Sequence, residues 1–130
     1  SAVGYTSSPR PEAASSKAVF GVVTADDPSV EKALIASDLR SAAAMQDKQG
    51  AFKGIVVKVF APSSGNIVIL NFDRNYKNAL TAVLRKSNFG KFPDLNSLDG
   101  KMILVTGKFV NYKGAMQIEL SDPGQIKLID

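Results

Sequence analysis

The stretch KMILVTGKFVNYKGAMQIEL, residues 101 to 120, decides the fold. Ile103, Val105 and Phe109 fall in phase at a period of two, the run breaks at N-Y-K-G, and Met116, Ile118 and Leu120 resume the same period. Alternation on both sides of a tight turn predicts a β-hairpin that closes a core. Gly107 lies inside the first arm, where a glycine permits the bulging and sharp coiling of a small barrel, and Gly54 plays the same part upstream. Only the tip, with Tyr112 and Lys113, is free of that duty and remains a candidate lip of a groove.

Working outward, FKGIVVKVF (52 to 60) reads as a strand with Ile55, Val57 and Val59 on one face and Val56, Lys58 and Phe60 on the other. NIVILNF (66 to 72) is the next strand, with Phe72 in the phase of Val68 and Leu70. ALTAVLRK (79 to 86) follows, with Leu80, Ala82 and Leu84 as its core set and Thr81, Val83 and Arg85 opposite. SNFGKFPDLNSLDG (87 to 100) breaks the alternation as a loop or one short helix, and Phe89 and Phe92 are expected to plug the barrel. QIKLI (125 to 129) extends the fifth strand past the SDPG turn. Three strands, an interruption and two strands is the order of a five-stranded Greek-key OB-fold barrel, a mainly β fold that becomes α+β overall with an N-terminal helix. A β-sandwich is the runner-up, less apt because the strand region is short.

The barrel is assigned to residues 49–130, an N-terminal strand and helix extension to 18–48, and a flexible Ser-, Ala- and Pro-rich tail to 1–17. AVFGVVTA (18 to 25) is the extension's strand. Asp27 and Pro28 form a helix start. Val30, Leu34 and Met45, widened by Ile35, Leu39 and Ala42, fit one amphipathic helix over 28 to 46, while Asp38 and Ser41 interrupt the stripe. The interruption favours a break near Ser37, whose hydroxyl is suited to cap a second piece.

Cysteine and histidine are both absent. Disulfides, thiol chemistry, the usual zinc sites and imidazole-dependent catalysis are thereby excluded. The carboxylates are scattered without a pairing motif, so the expectation is a noncatalytic chain with no metal and no cofactor. No apolar run approaches the roughly 20 residues of a membrane span. Exported and cytoplasmic locations both stay open, as does oligomeric state, and the initial Ser1 fits either a processed chain or an excised domain. Net charge is +4, yet residues 51 to 115 carry ten bases against three acids while the remainder is net acidic. A basic middle points to a polyanionic partner, although lysines also keep β domains soluble.

The segments GIVVKVF, ILNFDRNYKNALTAVL and GKMILVTGKFVNYKGAMQIELSDPGQIKLI resemble OB-fold nucleic-acid-binding modules related to anticodon-binding domains, such as those appended to exported bacterial nucleases. The similarity covers residues 37 to 129. Leu80 stands where such modules often carry phenylalanine, and residues 18 to 36 have no counterpart in them. The resemblance implies a groove on the outer face of the second and third strands, bounded by the loops at 62 to 66 and 111 to 114. Its candidate nucleic-acid-binding residues are Lys58, Phe60, Asn71, Arg74, Tyr76, Lys77, Thr81, Arg85, Tyr112 and Lys113. Bases would stack on the tyrosines while lysine and arginine track phosphates of single-stranded DNA or RNA, with weak sequence selectivity. The alternative is a protein interaction or assembly module that uses the barrel edge or Val30, Leu34 and Ile35 of the extension. An oligosaccharide-binding barrel would ask for more exposed aromatics than this chain has.

Overall fold

The computed structural model describes residues 19–130, so the tail expected at 1–17 lies outside the described residues. The chain there is mainly β, a curled sheet with short helices only. Its elements are β1 Gly21–Val23, α1 Pro28–Lys32, β2 Leu34–Ile35, α2 Leu39–Ala44, β3 Gln49–Ile55, β4 Lys58–Phe60, β5 Ile67–Asn71, β6 Thr81–Arg85, β7 Met102–Tyr112, β8 Ala115–Leu120 and β9 Ile126–Ile129. None of the described helices is long and apolar enough to cross a membrane.

The run expected as a single strand over 52 to 60 is two strands. β3 pairs antiparallel with β7, whereas β4 pairs antiparallel with β5. Between them Val56 bonds to the backbone of Gly100 and Lys101, and the Val57 N–H passes to the Asn71 carbonyl. The chain turns a corner there, and the facing pattern slips with it: Phe52 and Val56 are fully buried, while Ile55 and Val57 are exposed. The expected grouping of Ile55, Val57 and Val59 on one face therefore fails, because a corner breaks the period of two. From β4 the ladder continues through β5, β6, β8 and β7 back to β3, with β6 and β8 parallel.

β7 is the long spine. Its second half pairs with β8 and its first half with β9, both antiparallel. β9 thus carries on where β8 stops, as the sequence suggested, after a 3-10 turn at Pro123–Gln125. The Gln125 side chain holds this joint: its Nε2 donates to the Thr106 and Glu119 carbonyls, and its Oε1 accepts from the Ser121 and Asp122 N–H groups. Gly107, at φ 151°, leaves room for it, since a Cβ there would lie 2.8 Å from Gln125 Nε2 and 2.7 Å from Ile118 Cγ2.

Inside the curl lie Phe52, Leu70, Leu80, Ala82, Leu84, Ile103, Val105, Phe109 and Ile118. Phe72 is core, its ring edge-on to Phe52 at 5.0 Å, a geometry that adds about 0.5–1.5 kcal/mol beyond burial. The interruption forms 3-10 turns at Lys86–Lys91 and Leu95–Leu98, which deliver Phe89, Phe92, Leu95 and Leu98 to the same core.

The N-terminal extension is not one helix. Asp27 caps α1 by accepting from Ser29 N–H, with Pro28 at the first position, and the helix stops after five residues. β2 then pairs parallel with β3. The break falls where expected, but Asp38 rather than Ser37 caps α2, accepting from Ser41 N–H at 3.1 Å. A carboxylate one residue on takes the role given to the hydroxyl. Ala36 and Ala42 join the main core, and β1 adds a parallel edge to β9. α1 instead packs Val30, and its C-cap Ala33, on Leu104, on the outward side of β3 and β7, and Lys53 Nζ donates to the Val30 carbonyl at 2.8 Å. Val30, 3% exposed, is therefore withdrawn from the partner surface that the sequence suggested, and of its companions Ile35 stays exposed.

Candidate functional site

Successive residues of a strand point to opposite faces, so the registers of β4, β5, β6 and β8 assign the outward rows directly. One row runs Lys58, Asn71, Thr81, Gln117, and the next runs Phe60, Ile69, Val83, Glu119. A third begins with Ile67 opposite Arg85. The first row is polar throughout, whereas the second and third carry an apolar floor that ends in Glu119 and Arg85.

Two connections rise around this face. Between β5 and β6, Asp73 accepts from the Asn75 N–H and Asn75 caps the 3-10 turn Tyr76–Asn78, so two short polar side chains fix the loop that presents Tyr76. In the β7–β8 hairpin Tyr112 pairs with Ala115, which leaves Lys113 and Gly114 as a two-residue loop with φ of 53° and 88°. Both positive angles belong to the turn that matches strand twist. Asn111 accepts from the Gly114 N–H at 2.9 Å and is thereby committed to the turn. Lysine is an unusual occupant of a left-handed position, where Asn or Gly is less strained.

Together these elements enclose an open groove of about 780 Å³. Of the sequence candidates, Lys58, Phe60, Asn71, Arg74, Tyr76, Thr81, Arg85, Tyr112 and Lys113 all line it. Lys77 does not; its ammonium lies 5.9 Å from the centroid of the Tyr76 ring. Lys58 over Phe60 at 5.4 Å and Lys113 over Tyr112 at 5.3 Å repeat that pairing of a lysine with an aromatic face. Phe60, Tyr76 and Tyr112 are exposed. Arg85 forms two hydrogen bonds to Glu119, Nε to Oε1 and Nη2 to Oε2, each 3.3 Å. Those bonds and the carboxylate's charge hold the guanidinium above its ordinary, already high, pKa.

Sequence reasoning missed the floor and one wall. Val57, Ile67, Ile69, Ala79, Ala115 and Met116 line the groove, as does Gln117, which is 6% exposed and donates to Glu119 Oε2. The signal for the floor was present in NIVILNF, where Ile67 and Ile69 make the outward phase apolar as Val68 and Leu70 do the inward one. Among the described residues no group of three acidic side chains gathers as a metal site. The arrangement offers stacking faces, an apolar floor and cations at the rim, a combination suited to flat aromatic groups joined by anionic links.

No family model matches the sequence, and no curated protein matches it. Among solved structures the chain is similar to one assigned as an aspartyl-tRNA synthetase from Leishmania major Friedlin, with TM-score 0.54 and 12% identity over 86% of this chain and 24% of that one. It is similar also to the aspartyl tRNA synthetase from Entamoeba histolytica, with TM-score 0.55 and 17% identity over 98% of this chain and 28% of that one. The chain spans about a quarter of the length of these enzymes. At such identities the likeness is one of fold alone.

Proposed function

We propose that the curled sheet is a five-stranded Greek-key OB barrel whose β4–β5–β6 face binds single-stranded nucleic acid without catalysing a reaction on it. The observation that carries this reading is the gathering of Lys58, Arg74, Arg85 and Lys113 with Phe60, Tyr76 and Tyr112 around one groove. Bases stack on the aromatic faces, phosphates are tracked by the cations, and Lys77 adds charge from outside. Sequence selectivity is weak, since stacking accepts every base. The likeness to aspartyl-tRNA synthetases makes RNA the first ligand to try, and its restriction to a quarter of their chains favours a binding part over a whole catalyst. Fluorescence anisotropy of a labelled single-stranded oligonucleotide tests the reading. Binding at low salt that falls linearly in log K with log salt supports it; no binding at low salt ends it.

A second reading is favoured by a different surface. Ile35, Ile55 and Met102 are exposed, and Ile55 lies opposite Met102 in the β3–β7 pair. An apolar group of this kind suits a protein partner. If Ile35→Lys abolished an association while the groove lysines could be replaced freely, assembly would be the better account.

A further inference from the structure

Of the cations that line the groove, Arg85 is the one that already holds an anion among the described residues. Its Nε and Nη2 grip the two oxygens of Glu119 in parallel, which is the fork geometry by which arginine also takes a phosphate. Glu119 reaches this place by register: it lies opposite Val83 on the parallel neighbour β8, outward like Arg85 and beside it. Gln117 steadies the carboxylate from the same strand through its Nε2, 3.3 Å from Oε2. The pair is open to water, with side-chain exposures of 47% and 44%, so an exchange of partners involves little burial on either side.

We propose that Glu119 occupies the phosphate seat of Arg85 in the free protein and competes with an incoming strand for it. The inference rests on the groove being the nucleic-acid site. When a phosphate arrives, Arg85 changes partner, and the Glu119 carboxylate turns to solvent while keeping Gln117 within reach. The carboxylate therefore lowers affinity by holding the guanidinium that the phosphate must take. A neutral flat ligand that uses only the stacking faces is spared the competition.

The test is anisotropy of a 5′-fluorescein-labelled short oligo(U) over a salt series. The proteins are wild type, Glu119→Gln, Arg85→Gln, their double variant and Glu31→Gln. Glu31 lies on α1, outside the groove, and its substitution makes the same change of charge. Glu119→Gln is expected to bind about 2- to 5-fold more tightly than Glu31→Gln, the range that releasing an exposed ion pair allows. The dependence of log K on log salt should stay close to that of wild type, because Arg85 meets the same phosphate in both complexes. In the Arg85→Gln background the gain should shrink to that of Glu31→Gln. If wild type binds but Glu119→Gln gains no more than Glu31→Gln, or keeps its gain without Arg85, the competition is overturned and the groove reading stands. If neither wild type nor Glu119→Gln binds at low salt, both fall together.

Discussion

The same curled sheet has two outward faces that meet different fates. On β3 and β7 the outward Leu104 is buried by Val30 of α1 and by Ala33 at its C-cap, and even Lys53 is used, its ammonium bound to the Val30 carbonyl. On β4, β5 and β6 the outward Ile67 and Ile69 line an open groove rimmed by lysine, arginine and tyrosine. Apolar residues on an outward strand phase thus mean two different things. Where the chain supplies its own cover they extend the core; where it supplies cations and aromatics instead, they floor an open groove.

The comparison breaks most visibly at Leu104. Leu104→Ala should cost about 2–5 kcal/mol in urea denaturation, with oligonucleotide affinity unchanged in the native state; a stability loss below 1 kcal/mol would mean that α1 covers nothing of consequence. On the open face the ledger reverses. Tyr76→Ala or Tyr112→Ala should each weaken binding by about 1–3 kcal/mol while moving stability by no more than about 0.5 kcal/mol. Smaller again is the effect of Lys113→Asn, which should flatten the salt slope by about 0.7 and leave the thermal midpoint at or above wild type, because Asn accepts the left-handed turn position. A fall in midpoint would show that the lysine serves the hairpin rather than the groove.

The faintest effect concerns the cover's own caps. Ser29, through its hydroxyl and N–H, holds the Asp27 carboxyl below its ordinary value, and Ser41 does the same for Asp38. A depressed folded-state value means stability that is present above the unfolded carboxylate range and lost as pH falls through the depressed values. Thermal midpoints should therefore drop below about pH 4, and less steeply in Asp27→Asn and Asp38→Asn. Identical pH profiles for the variants and wild type would contradict the capping account.

How much of this the sequence disclosed follows from how local each feature is. Leu80, Ala82 and Leu84 were legible as core because the period of two sets their phase against Thr81 and Arg85, although Val83 of that opposite phase is itself buried where it lines the groove. The hairpin tip was legible because turn chemistry is written in adjacent residues. The corner at Val56 and Val57 was not, since valines on both phases conceal a change of direction whose partners, Gly100, Lys101 and Asn71, lie far along the chain. Residues 28 to 46 carry a helical stripe, yet β2 and the Asp38 cap divide it, because pairing with β3 outweighs propensity over so short a span. Nine of the candidate groove residues were named from one resemblance and one strand phase. Glu119 was not, because its partner Arg85 is 34 residues distant and only the parallel β6–β8 register joins them.

Amide chemical-shift mapping on titration with a short single-stranded RNA reads both faces at once. The account predicts shifts concentrated at Lys58 to Phe60, Asn71, Tyr76, Thr81, Arg85 and Tyr112 to Gln117, with α1 and the outward side of β3 silent. Shifts confined to α1, Ile35, Ile55 and Met102, or none at any RNA concentration at low salt, would contradict it.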